Sequence, residues 1–258
     1  MSVTSGDVQL HVRSDGPETG RAVLFANSLG TDMRVWDPVL PHLPQGLRIV
    51  RYDKRGHGLS DCPAAPYTMD TLVDDALAVI DAFDLADITL VGLSIGGLIG
   101  QGLAARRPDL FRGLVLMDTA ARIGTAQMWQ ERMDVVKRLG LTGLSDSVME
   151  RWFSPEILAD AARLAPWKNM LSRTPADGYL GCCAAIAGAD YTETTRALRL
   201  PVMAMAGEYD GSTPPDVVAA TAALCGGAFH LIKNAGHIPG VERPDVVGDL
   251  ITGFLAAT

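Results

Sequence analysis

The chain has 258 residues, 48% of them hydrophobic, enough for one large domain, or one domain with an insertion, that buries about 70 to 75% of its unfolded surface. Thirty acidic and 22 basic residues give a net charge of −8 without any basic run, which argues against nucleic acid or an anionic membrane as partner. No stretch reads as a membrane span or signal peptide, and Cys62, Cys182, Cys183 and Cys225 lack C-x-x-C spacing, so reduced thiols in a cytoplasmic protein are expected.

In chain order, Val8, Leu10 and Val12 alternate with polar neighbours, which predicts an edge strand before a turn rich in Gly, Pro and Asp at 14–20. AVLFA at 22–26 reads as a buried strand running into the loop Asn27-Ser28-Leu29-Gly30. Residues 48–52 form the next expected strand, followed by the compact charged turn DKRGHGLSD at 53–61. Leu72, Ala76, Val79, Ile80 and Phe83 share one helical face. The apolar run at 88–93 is a strand, and Gly92, Ser94 and Gly96 then spell G-x-S-x-G before a helix ending near Arg107. Residues 112–117 are another buried strand, ending at Asp118.

Strand–helix alternation then stops. Residues 120–196 are helix-prone, with Trp129, Trp152 and Trp167 among their apolar positions, and suit a helical cap inserted into a core formed by 1–119 and 197–258. The sheet resumes at 201–207, followed by Asp210, a helix near 216–224, a strand at 228–232, His237 and a last helix from Pro244.

Three of these residues each follow an expected strand: Ser94, Asp210 and His237. A hydroxyl is a weak nucleophile at neutral pH, so it needs an imidazole to take its proton and a carboxylate to hold the imidazole's tautomer. Glu208 and Asp118 are rival carboxylates, and His57, between two glycines, suits a loop tie better than proton exchange. Backbone N–H groups would stabilise the oxyanion, one from Ile95 at the new helix and one from Leu29 in the loop after AVLFA. No His, Asp or Glu cluster has metal spacing. Gly100, Gly102 and Ala105 imitate a dinucleotide motif but fall inside a helix.

The elbow, YDKRGHGLSD at 52–61 and the C-terminal Asp and His blocks resemble the α/β-hydrolase superfamily over nearly the whole chain. That resemblance implies an α/β-hydrolase fold: a mostly parallel eight-stranded sheet flanked by helices, with the inserted helical cap. NSLGTD at 27–32, DTAARIGTAQMWQERM at 118–133, GYLGCCAAI at 178–186 and GEYDGSTPP at 207–215 further resemble the 3-oxoadipate enol-lactonases. This implies hydrolysis of an enol-lactone in bacterial protocatechuate or catechol degradation, with no metal or cofactor. Ser94, Asp210 and His237 would be the triad, and Leu29 and Ile95 the oxyanion donors. Asn27-Ser28 stands where most of the superfamily has His-Gly, a departure that the enol-lactonases share.

Such a substrate carries a carboxylate, so a protein of net charge −8 needs a pocket cation. Arg122 and Arg132 are candidates, although arginines on amphipathic helices are mostly solvated. Trp129 serves core packing and ring contact equally well. A general carboxylesterase or cofactor-free haloperoxidase-like enzyme, and a silent hydrolase-fold binding protein, stay open beside the lactonase.

Overall fold

A computed structural model describes residues 1–258, with eight strands in one sheet. The strands are β1 (Ser2–Ser5), β2 (Val8–Asp15), β3 (Ala22–Ala26), β4 (Arg48–Tyr52), β5 (Ile88–Leu93), β6 (Phe111–Met117), β7 (Val202–Gly207) and β8 (Ala228–Ile232). Their spatial order is β1-β2-β4-β3-β5-β6-β7-β8. The first two strands join antiparallel, and every pairing from β4 to β8 is parallel. The sheet is therefore mostly parallel, and β3, β5 and β7 are buried along their whole length, as continuous apolar runs covered on both faces require.

One expectation is corrected. The Val8–Val12 pattern belongs to β2, but β2 is not the edge, because β1 pairs along its outer side. Alternation reports that only one face of β2 is buried, and cannot tell whether a neighbour lies beside it. The strand SVTS is too short and polar to signal itself.

Helices α1 (Met69–Ala82) and α2 (Ile95–Arg106) pack on one another. Thr68 caps α1 by accepting the Thr71 N–H, and Leu72, Ala76, Val79 and Ile80 lie on its buried face, whereas Phe83 is the half-buried residue just past its end. Between β6 and β7 come α3 (Ala126–Trp152), α4 (Pro155–Leu158), α5 (Ala161–Ser172), α6 (Ala176–Ala187) and α7 (Thr192–Ala197). In α3 the helix breaks at Gly140, whose φ of 67° and ψ of 177° are open to glycine. Helices α5 and α6 pack on α3, whereas α7 packs on α2 and on α8 (Pro215–Leu224). The chain closes with α9 (Pro239–Glu242) and α10 (Pro244–Ala257).

Parallel pairing brings the carboxyl ends of β3, β5, β6, β7 and β8 to one edge, where their loops can share a site. At the end of β5, a Cβ on Gly96 would stand 2.0 Å from the Ala26 carbonyl oxygen, and one on Gly92 would stand 2.4 Å from the Gly96 oxygen. Strand β3, strand β5 and α2 thus meet backbone to backbone. Gly96→Ala should force them apart and destabilise the chain by about 2 kcal/mol or more, within the usual range for overpacking, as read by chemical denaturation.

Candidate active site

Ser94 sits between β5 and α2 at φ 58° and ψ −117°, a strained conformation for a residue with a side chain. Its N–H donates to the Met117 oxygen at 2.9 Å, and its own oxygen accepts from Gly97 N–H at 2.8 Å and Thr119 Oγ1 at 2.6 Å. Those bonds hold the backbone while the hydroxyl faces a small cavity of about 80 Å³.

His237, from the loop after β8, lines the same cavity. Its Nδ1 lies 2.9 Å from Asp210 Oδ2. Asp210, in the turn after β7, also accepts from Ser212 N–H at 2.7 Å, Thr213 N–H at 3.0 Å and Thr213 Oγ1 at 2.7 Å. Burial alone would raise the Asp210 carboxyl. The neighbouring His237 charge and the hydrogen bonds from His237 and Thr213 outweigh it and hold the group below the ordinary carboxylate range. An ionised Asp210 accepting from Nδ1–H leaves His237 Nε2 as the basic nitrogen.

The His237 loop is anchored by Glu242 of α9, which accepts the Gly236 N–H at 2.6 Å and reaches Ser154 N–H at 3.1 Å. A Cβ on Gly236 would stand 2.5 Å from the Trp152 oxygen, so the end of α3 packs directly against this loop.

Opposite Ser94, the loop after β3 presents Leu29, whose N–H takes no partner within the chain. The loop is held from behind. Lys54 Nζ donates to Ser28 O at 2.5 Å and Thr31 O at 3.3 Å, Asn27 Nδ2 donates to Thr31 O at 2.6 Å, and Gly30 N–H donates to His57 Nε2 at 3.0 Å. Burial first, and the Lys54 charge second, push His57 well below its usual range. A neutral His57 can accept at Nε2, as a loop tie must. Ile95 is the first residue of α2, where an N–H has no partner in its own helix.

The remaining cavity wall is Ile123, Trp129, Arg132, Arg151, Trp152 and Tyr179, beside Met128 and Ser212. Trp129 is buried, its indole N–H donates to Ile123 O at 2.7 Å, and it lines the cavity. Arg132 lies over the Trp129 ring at 5.4 Å and donates to Tyr179 Oη at 3.2 Å. Arg122 does not join them. It points to solvent and pairs with Asp190 at 3.6 Å, because it lies in the open stretch before α3.

Residues that sequence reasoning did not assign complete the site. Arg151 lines the cavity, and partial burial and the Arg132 charge lower its guanidinium. Thr213 and Lys54 fix the carboxylate and the loop. Arg151 comes 19 positions after Arg132, beyond the break at Gly140, so helical spacing could not pair them. Glu208 is bound to Lys233 at 2.8 Å, away from His237.

Asp118 is buried behind Asp210, and ligand-type atoms of Asp118, Asp210 and His237 lie within 4.8 Å of one another. Donors on both Asp210 oxygens make this a hydrogen-bonded relay. A larger cavity of about 930 Å³ lies between α5 and the β2–β4 end of the sheet. Its charged groups are largely paired internally, as Arg34–Asp32 and Arg51–Asp37, His11 is hydrogen-bonded to Asp53, and it does not contain Ser94.

A serine held on a strained strand-to-helix turn, facing a histidine that a carboxylate orients, defines a hydrolase built on a parallel sheet. Residues 23–250 match the model of the Alpha/beta hydrolase family, and the chain belongs to that family. It is an enzyme of the ester-hydrolysing kind, and its sequence is similar to 3-oxoadipate enol-lactonases. It is 35% identical to 3-oxoadipate enol-lactonase 2 of Acinetobacter baylyi, an alignment spanning 98% of this chain and 96% of that protein. The crystal structure of the enol-lactonase from Burkholderia xenovorans LB400 superposes with a TM-score of 0.94 at 33% identity, covering 99% of this chain and all of that one. A thermophilic esterase from Thermogutta terrifontis gives 0.92 at 25% identity, covering 100% and 98%.

Lys54 supplies a pH test of the loop. Burial pulls its ammonium down from 10.5 to about 8. Between those values the unfolded chain holds the extra proton, so this group's stability contribution is fully present above 10.5 and lost as pH falls through about 8. Wild type should therefore gain on Lys54→Met in unfolding free energy as pH rises across that window, by up to about 1.4 kcal/mol per pH unit. A constant difference between the two would contradict an ammonium lowered by burial at Lys54.

Proposed function

We propose that the chain opens 3-oxoadipate enol-lactone to 3-oxoadipate, a step of bacterial protocatechuate and catechol degradation, through an acyl-enzyme on Ser94. The observation that carries this is the pair Arg132 and Arg151. Both line the cavity that holds Ser94, and neither is paired with a carboxylate, so a small substrate bearing its own carboxylate can supply the missing charge.

Ser94 Oγ attacks the lactone carbonyl while His237 Nε2 takes its proton, and Asp210 keeps the other ring nitrogen protonated and stabilises the imidazolium. The oxyanion meets the N–H groups of Leu29 and Ile95, set before charge develops. The ring oxygen leaves as an enolate, more stable than an alkoxide and so less dependent on protonation by His237. A tethered alcohol could close the ring again, whereas an enol that becomes a ketone has lost its nucleophile. The proton held by His237 passes to the departing enolate, and the neutral imidazole then activates the water that releases the acid. The helical segment 120–196 acts as a cap that narrows the site to small substrates and excludes bulk water, with Trp129 against the ring. The enzyme works in the cytoplasm and uses no metal or cofactor.

Loss of the enol-lactone's ultraviolet absorbance, measured beside p-nitrophenyl acetate hydrolysis, tests this. Wild type should turn over the lactone rapidly and the acetate weakly. Ser94→Ala should lower kcat by about 10⁴-fold or more. Acetate turnover without lactone turnover would point instead to a general carboxylesterase or perhydrolase-like enzyme with the same triad. Absence of both, with no covalent labelling of Ser94 by a fluorophosphonate, would point to a binding protein.

The arginines give an independent check. Arg132→Ala and Arg151→Ala should each lower kcat/KM for the lactone by about 10 to 100-fold, as loss of a hydrogen bond to charge does, with much less effect on the uncharged acetate. Equal losses on both substrates would contradict a role in carboxylate binding.

A further inference from the structure

Asp118 is a fully buried carboxyl group beside the triad that the mechanism above leaves without a task. It follows β6 in the left-handed conformation, at φ 44°, which a residue with a side chain rarely adopts. Its N–H donates to the Met205 oxygen at 2.9 Å, and its Oδ1 accepts the Gly207 N–H at 2.8 Å, so the residue is pinned across the ends of β6 and β7. The second oxygen, Oδ2, is shut off from water and receives no donor.

An ionised carboxylate in that setting would hold an unsolvated charge against a second carboxylate, Asp210. An oxygen of each carboxyl group lies within 4.8 Å of the other, and two such groups at that range, one with an orphaned oxygen, are relieved by a proton between them. Asp210 already accepts from Ser212, Thr213 and His237, while Asp118 accepts only from Gly207. A proton held at this pair is therefore better placed on Asp118, the partner poorer in donors.

We propose that Asp118 is a neutral carboxylic acid whose O–H donates to the Asp210 carboxylate, which makes it a positioning residue for the triad. The inference rests on the Ser94, His237 and Asp210 assignment made above. The titratable groups facing Asp118 are Asp210 after β7, His237 after β8 and Glu242 of α9. Burial first, then the charge of Asp210, push its carboxyl well above the ordinary range, with Glu242 adding in the same direction. The donated bond does two things. It fixes the plane of the Asp210 carboxylate, and it lowers that group's basicity, so the proton taken from Ser94 stays on the imidazole. This is the reverse of a reserve acid: Asp118 acts by being uncharged.

Two variants separate a donor from mere bulk. In Asp118→Asn the amide can donate to Asp210 while its oxygen still accepts from Gly207. In Asp118→Leu neither bond forms. The first readout is the rate at which a fluorophosphonate labels Ser94, which needs no lactone. The Asn variant should label at least about tenfold faster than the Leu variant, and equal rates would overturn the positioning role.

The second readout is the melting temperature of wild type and Asp118→Asn from pH 4 to 7. Above about pH 4 the unfolded wild type ionises Asp118 while the folded chain keeps it neutral. The unfolded chain then binds fewer protons, so this group's contribution to stability is full below that pH and is lost as pH rises. The Asn variant has no such loss, so its melting temperature should gain on wild type by several degrees, on the order of the shift usual for such changes. A constant or shrinking difference would overturn the neutral acid. Should the Leu variant fail to fold, this comparison still decides. Failure of wild type to label would sink the triad assignment instead, and failure to turn over lactone would touch neither readout.

Discussion

The approach of Gly96 to the Ala26 carbonyl is the constraint on which the rest of the site depends. With no side chain at 92 or 96, β3, β5 and α2 pack at backbone distance, and the chain between β5 and α2 must turn within one residue. Ser94 absorbs that turn in a strained conformation, and its backbone is then tied to Met117 and Thr119 on β6 and just beyond. Strain is tolerable because so many bonds determine it. The outcome is a hydroxyl at the carboxyl edge of the sheet, beside the first turn of a helix.

Around that fixed point, loops are held by buried or half-buried polar groups that do not themselves face the cavity. Lys54, Asn27 and His57 grip the loop carrying Leu29 from behind, and Glu242 ties the loop carrying His237 to the end of α3. The Asp210 carboxylate is surrounded by donors from its own turn. Each of these groups is costly to bury and is satisfied only when its loop is in place, so polar burial here sets geometry more than it adds stability.

Much of this is legible in the amino-acid sequence, and the rest is not, for physical reasons that differ from element to element. The strands AVLFA and AFHLI, the elbow, and the order Ser94, Asp210, His237 follow from short-range patterns: apolar runs, glycine spacing, polar residues just past strand ends. Strand β1 gives no signal because four residues with one apolar side chain carry no period, and the pattern of β2 suits an edge because alternation senses burial, not neighbours. Arg151, and the place of Asp118 beside Asp210 rather than only as its rival, depend on long-range juxtaposition. A bend at Gly140 brings Arg151 back toward Arg132, and the β6–β7 pairing brings Asp118 behind Asp210. Arg122 fails for the same reason in reverse, since sequence proximity to Trp129 did not carry its side chain into the cavity.

The most direct test of the central claim is the mass of the intact chain, quenched in acid within the first turnover of saturating 3-oxoadipate enol-lactone. An enolate is a good leaving group, so acylation should outrun hydrolysis and the chain should accumulate in a form heavier by one lactone, with the added mass on the peptide containing Ser94. Complete conversion of the lactone with no acylated chain at any time, or acylation mapped to another residue, would contradict it.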